Sequence, residues 1–153
     1  MNPAQVSNLS CLLRQTARLF PDRPGLIQGE RTWTWAQIDA RVDALVAALR
    51  ALGLKKGDRI LQQSRNNLAM FESAWAAFRM GCVWVPTNFR LTPGEVAYLG
   101  ASSGAVAMLV EAVFAGHAAA GMSRKDLKEA GEALDEGTAG LVVVGVSDMQ
   151  AKI

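Results

Sequence analysis

Between Thr34 and Val110 the chain alternates three times between a capped helical stripe and a short apolar run. Strands that alternate with helices read as βαβ units and a mostly parallel sheet. The expected fold class is therefore α/β, a partial, mostly parallel sheet with flanking helices. The spacing of Leu9, Leu12, Leu13, Thr16, Ala17 and Phe20 predicts a first helix over residues 10–20, ended by Pro21. A short strand is expected at Leu26–Gln28, then a Gly29-Glu30 turn into Thr32-Trp33.

Thr34, with Gln37 three residues on, predicts a capping box. The helix that follows carries Ile38, Val42, Leu45, Val46, Leu49 and Leu52 on one stripe, with Gly53 closing it. Arg59 to Gln63 reads as a strand. A third helix, capped by Asn66 or Asn67, is expected to turn Phe71, Ala74, Trp75 and Phe78 inward and to end at Gly81. Cys82 to Pro86 reads as a buried parallel strand. Thr92-Pro93-Gly94-Glu95 offers an N-cap, a proline at the first helical position and a box glutamate. Ala105 to Val110 closes the series as another apolar strand.

Composition bounds the function classes. The 153 residues suit one domain or one domain with an appendage, and half of them are hydrophobic. A chain this long can bury roughly 70% of its unfolded surface. A net charge of +2, with Lys55-Lys56 as a two-residue basic patch in a turn, argues against nucleic acid as a partner. Cys11 and Cys82 match no metal spacing and read as two buried thiols. No basic patch leads into an apolar core at the N-terminus, so the expected compartment is the cytoplasm, with reduced thiols.

Two motifs carry more. Thr32-Trp33-Thr34-Trp35-Ala36-Gln37-Ile38 is an aromatic-rich turn entering a helix. Gly81-Cys82-Val83-Trp84-Val85-Pro86-Thr87-Asn88, followed by Arg90-Leu91-Thr92-Pro93, is a glycine turn, an apolar strand, a proline and an asparagine. Phe20-Pro21-Asp22-Arg23-Pro24 lies ahead of them and Gly57-Asp58 between. In this order, from Leu12 to Val110, they resemble the opening of the acyl-CoA synthetase branch of the adenylate-forming, AMP-binding superfamily. The resemblance implies an ancestor that activates a carboxylic acid with ATP and passes the acyl group to a thiol, with ATP, Mg and CoA as cofactors of the full-length enzymes. It also implies that residues 1–110 correspond to the start of the large N-terminal domain, where these motifs mainly build scaffold. Trp33 and Trp35 are expected as core or groove residues, Pro86 as a strand stop and Asn88 as a turn residue bonding its own backbone. Gln62-Gln63 departs from the apolar run usual in that strand, through relaxed constraint or an exposed edge.

The resemblance places the phosphate-binding loop and the catalytic lysine downstream of the matched stretch. No Gly-rich loop with a following lysine occurs here, and the five lysines read as turn or polar-face residues. His117 is the only histidine and sits among alanines. No catalytic, cofactor-binding or metal-ligating residue is therefore assigned, and no cofactor is expected for this chain itself.

Residues 111–153 read as a separate helix–strand tail. Gly116-His117, the helix opened by Ser123-Arg124-Lys125-Asp126 and ended by Gly137, and the Leu141–Val144 strand resemble the C-terminal part of a glycine-rich bacterial family of unknown function. That family's small-residue hydrophobic centre leaves membrane contact open for the tail, although a buried strand followed by a small-residue helix is the expectation for Gly104–Gly121. The two resemblances together imply a fusion of two broken reading frames joined between Val110 and Gly116. Ser147-Asp148 looks like the cap of a further helix in a chain that stops at Ile153, which reads as truncation. Three functions are weighed: a synthetase remnant inactive alone, half of a split ligase completed by a complementary chain, and an interaction or self-associating module using an exposed sheet edge.

Overall fold

Both predicted capping boxes form. In the computed structural model, which describes residues 8–111 and the backbone of 141–145, the Thr34 hydroxyl accepts from Gln37 N at 3.3 Å and Gln37 Oε1 accepts from Thr34 N at 2.9 Å. Thr92 and Glu95 make the same reciprocal pair, with a proline following the cap. These local bonds set the starts of α2 (Trp35–Ala51) and α4 (Pro93–Ser103). Asn67 caps α3 (Leu68–Met80) by accepting from Met70 N, and Gly81 ends it at φ 72°, a left-handed conformation that glycine adopts without Cβ strain. The first helix, α1, is Ser10–Leu19.

The strands fall into two sheets. β1 (Pro24–Gln28) and β2 (Arg31–Thr34) form an antiparallel hairpin through the Gly29-Glu30 turn. β3 (Arg59–Gln63), β4 (Val83–Thr87) and β5 (Ala107–Glu111) are parallel, with β3 between the other two, and β6 (Leu141–Gly145) adds antiparallel to β5. The expected strand at 141–144 is thus present and joins the same sheet. The expected helix at 123–137, the cap at Ser147-Asp148 and His117 lie outside the described residues.

Side chains alternate between the two faces of the sheet. Ile60, Ala107 and Leu109 face a thick layer of α1, α2 and α3, where Leu13, Ile38, Val42 and Leu49 complete the main core. Leu61, Met108 and Val110 face α4 in a smaller cluster with Val96 and Ala105. The hairpin docks on α2. There Gly25 lies so close that a Cβ would stand 2.8 Å from both Ile38 Cδ1 and Trp35 Cδ2, so only glycine admits the approach.

Four expectations need correction. The inward face of α3 is Glu72, Ser73, Ala76, Ala77 and Met80, while Phe71, Ala74, Trp75 and Phe78 are half-buried. The reason is that α3 packs against β3 and β4 on one side and α1 and α2 on the other. Its small residues permit both approaches, and its aromatic row lies to the side, edge-to-face with Trp84 at the end. Among the described strands β4 lies at the edge rather than buried, with Val83 48% exposed. Val83 N donates to Asp58 O, so Pro86, three residues on, would have turned its N–H away from β3; the proline costs the ladder nothing and blunts the edge. Gln62 and Gln63 belong to the central strand and are fully buried, not at an exposed edge. Finally, α1 buries only Ser10, Leu13 and Ala17, which leaves Leu9, Leu12, Phe20 and Cys11 exposed. Only Cys82 is a buried thiol.

Candidate functional site

In open α/β sheets, ligands bind in the crevice outside the carboxyl ends of the strands. Here that edge is formed by the Ser64–Asn67 segment after β3, the Thr87-Asn88 turn after β4 and Glu111 at the end of β5. Its polar groups engage one another. Glu111 is 5% exposed and accepts from Arg65 N and Nε at 3.2 Å and from Nη2 at 2.5 Å. The Arg65 guanidinium holds the Glu111 carboxyl below its ordinary range, against the opposing effect of burial, and the pair raises Arg65. Ser64 Oγ donates to Arg65 O, and Thr87 Oγ1 donates to Gln62 O. Asn88 Oδ1 accepts from Arg90 N at 2.9 Å, the local turn bond expected of it.

Beneath this edge lie buried polar atoms. Gln63 donates from Nε2 to Phe89 O and Leu91 O at 3.4 Å, tying the loop after β4 to the central strand. Gln63 Oε1, both amide atoms of Gln62 and Trp84 Nε1 are buried without a partner among the described residues. Register places Trp84 opposite Ile60, so Trp84 and Gln62 share the face under α3.

Two neighbouring cavities open between the hairpin and α3. One, of about 420 Å³, is walled by Arg31, Thr32 and Trp33 of β2, Arg41 of α2 and the first turn of α3. Arg41 is paired with Glu72, only 8% exposed, and that bond raises the Arg41 pKa against the effect of burial. The second, of about 390 Å³, is walled mainly by Leu26, Ile27, Met70, Phe71, Ala74 and Trp84. Gln28 and Asn67 belong to both. Their side-chain oxygens cap α3, Gln28 Oε1 accepting from Leu68 N and Asn67 Oδ1 from Met70 N, both at 2.9 Å. Trp33 and Trp35 are half-buried against the main core, as expected.

The chemistry available is limited by this pairing. Asp39 and Asp43 hold Arg79 between α2 and α3, and Asp43 also reaches Arg14. No group of three or more His, Cys, Asp or Glu that could hold a metal occurs among the described residues. Burial, then Asp58, pushes the Cys82 thiol up and disfavours its thiolate. Arg31, Arg41, Arg65 and Glu111 escaped the sequence reading. An arginine before a helix or a glutamate closing an apolar run carries no local sign of a partner that is 46 positions away, as Arg65 and Glu111 are.

The arrangement, a hairpin leading into three helices over a small parallel sheet, is that of the N-terminal domains of adenylate-forming enzymes. It matches the N-terminal domain of FACL13 from Mycobacterium tuberculosis with a TM-score of 0.72 at 29% identity, over 78% of this chain and 31% of that one. It matches a Mycobacterium tuberculosis fatty acyl CoA synthetase at 0.71 and 29%, over 78% of this chain and 24% of the other. The chain belongs to the AMP-binding enzyme family, whose profile matches residues 13–151. Its relatives include acyl-CoA ligases. Feruloyl-CoA synthase from Amycolatopsis sp is 36% identical over 93 residues, 61% of this chain and 19% of that protein. The 3-oxocholest-4-en-26-oate–CoA ligase of Rhodococcus rhodochrous is 30% identical over 104 residues, 68% of this chain and 19% of its own length. This chain thus spans about a fifth of the length of the curated relatives it matches. Among the described residues, no helix is long and apolar enough to cross a membrane.

Proposed function

We propose that residues 8–111 are opening scaffold of an acyl-CoA ligase N-terminal domain, and that the isolated polypeptide does not adenylate a carboxylic acid. The observation that carries this reading is the internal pairing at the carboxyl ends of the strands. ATP and Mg are the groups the family implies, and the donor set does not fit them. Glu111 and Glu72 are bound to arginines, and the Leu68 and Met70 N–H groups at the start of α3 are taken by Gln28 and Asn67. Adenylyl transfer needs positioned positive charge around the phosphates, and no step is assigned to this chain. The free thiols of Cys11 and Cys82 suit a reducing compartment, the cytoplasm.

A second reading is supported by the α4 face. Tyr98 is 71% exposed and Val106 42% exposed beside a small core cluster. Such a face suits completion by a complementary chain that supplies the rest of a ligase domain. ATP–pyrophosphate exchange with short, medium, long and aromatic acids, on protein shown by circular dichroism to be folded, tests both. No exchange from the chain alone supports the scaffold reading; exchange that tracks this chain through purification overturns it. Exchange restored only on co-expression with a complementary ligase segment selects the split form.

A further inference from the structure

The outer side of α4 is bare among the described residues, with Gly94, Glu95, Ala97, Tyr98 and Ser102 exposed along it. Tyr98 projects furthest, at 71% exposure. Beside it runs a groove of about 370 Å³ walled by Leu91, Gly94, Glu95 and Leu99. A Cβ on Gly94 would meet nothing within 4 Å, so the groove is open at that turn. Val106, also exposed, lies just past the other end of the helix. One face thus carries projecting groups, Tyr98 and Val106, together with recesses to take them, the groove and the small residues Ala97 and Ala101.

The charges on this face stand at opposite ends. Glu95 is in the first turn, where its Oε2 accepts from Thr92 N and Oγ1 at 2.8 Å, which leaves Oε1 open. At the other end, Arg59 Nη1 would stand 3.3 Å from a Cβ on Gly104, the residue that ends α4. Arg59 is exposed and has no ion-pair partner among the described residues. A helix with an anion at its start and a cation at its end is complementary to its own antiparallel copy. A two-fold axis across the middle of α4 brings Glu95 of each copy to Arg59 of the other. A parallel copy would set like charges together.

We propose that α4 is a self-association surface, on which a second copy of this chain seats its own α4 antiparallel. Tyr98 of each copy lies against Ala97 and Ala101 of the other, and Val106 enters the groove at Leu91 and Gly94. The small side chains let the helices come close, and the tyrosine supplies a large, rigid contact. A contact of one helix and its flanks is at the small end of specific interfaces, under about 1,200 Å² in total, so the pair forms and separates with concentration. A self-pair needs no adenylation chemistry, and it competes with a complementary ligase segment for the same face.

The test is sedimentation equilibrium of the full chain over a range of loading concentrations, with a reductant present so that exposed Cys11 does not link copies. The wild type should pass from monomer to dimer as concentration rises, and added salt should weaken the dimer. Tyr98→Ala, at an exposed position, should raise the dissociation constant about tenfold. Arg59→Glu and Glu95→Arg should each stay monomeric, because each sets like charges together at both ends of the pair. An equimolar mixture of the two should dimerise, since every contact then joins opposite charges. Circular dichroism checks that each variant is folded. A wild type that is monomeric at every concentration, a Tyr98→Ala dimer as tight as the wild type, or a mixture no more associated than its components would overturn the proposal. A wild-type chain that stays monomeric yet takes up a complementary ligase segment would overturn it too, and would give the face to that segment. None of these outcomes bears on pyrophosphate exchange, so the scaffold reading and the self-pair fail separately.

Discussion

The two faces of the sheet are built to different depths. On one, α3 lies on the strands and α1 and α2 lie on α3, so Ile38, Val42, Leu49 and Ile60 are fully buried. On the other, α4 stands alone among the described helices, and the cluster around Leu61, Val96 and Met108 is bounded by exposed Tyr98 and Val106. The same strands feed both faces, so the difference lies in the helices. What it teaches is that the stability of this segment is carried on one side, while the other side is where further chain would add most.

The largest expected effect is therefore on the thick face. Leu49→Ala should cost about 3 kcal/mol, through lost transfer energy and the cavity left behind, measured as a lower urea midpoint at constant slope. A loss below about 1 kcal/mol would mean the face is loosely packed. Next comes the ion-pair clamp that joins its helices. Arg79 is 7% exposed and bonds Asp39 and Asp43. Arg79→Ala should cost about 2 kcal/mol, because it leaves the part-buried Asp39 carboxylate without its partner and removes packing, while Asp43 keeps Arg14. In an Asp39→Asn/Asp43→Asn background the same change should cost less, which a double-mutant cycle reads directly.

On the thin face, Val96→Ala should cost about 1 kcal/mol, since the site is shallow and can relax. If a complementary chain covers that face, the loss should grow in its presence, which would sharpen the contrast. The smallest effect concerns the strand ends. The Glu111 carboxyl is depressed in the folded chain. Its contribution is therefore present above the ordinary carboxylate range, about pH 4, and is lost as pH falls through the lower folded value. Urea midpoints measured from neutral to acid pH should fall at the acid end, and fall less in Glu111→Gln. Equal acid sensitivity in both would remove the pair from the account.

The helix starts and the βα alternation were legible in the residues alone. Thr34 with Gln37, Thr92 with Glu95 and Asn67 with Met70 are bonds closed within three residues, so a local pattern states them fully. The core packing of Trp33 and Trp35 and the turn bond of Asn88 were legible too, through the family motifs that contain them. What the residues could not disclose were relations between distant segments. A helix with apolar side chains on several sides does not reveal which side meets the sheet; only the placement of α1 and α2 over α3 buried Glu72 and Ser73 and turned Phe71 and Trp75 aside. The run from Val83 to Thr87 does not reveal that it lies at an edge, because strand order depends on where β5 docks. Gln62 and Gln63 look polar in any local window, and burial at 0% exposure follows only from the central place of β3 between β4 and β5 and from the layers over its two faces, α3 above Gln62 and the loop after β4 against Gln63. Sequence settles what bonds of three or four residues decide. Tertiary structure settles whatever depends on which distant surfaces exclude water together.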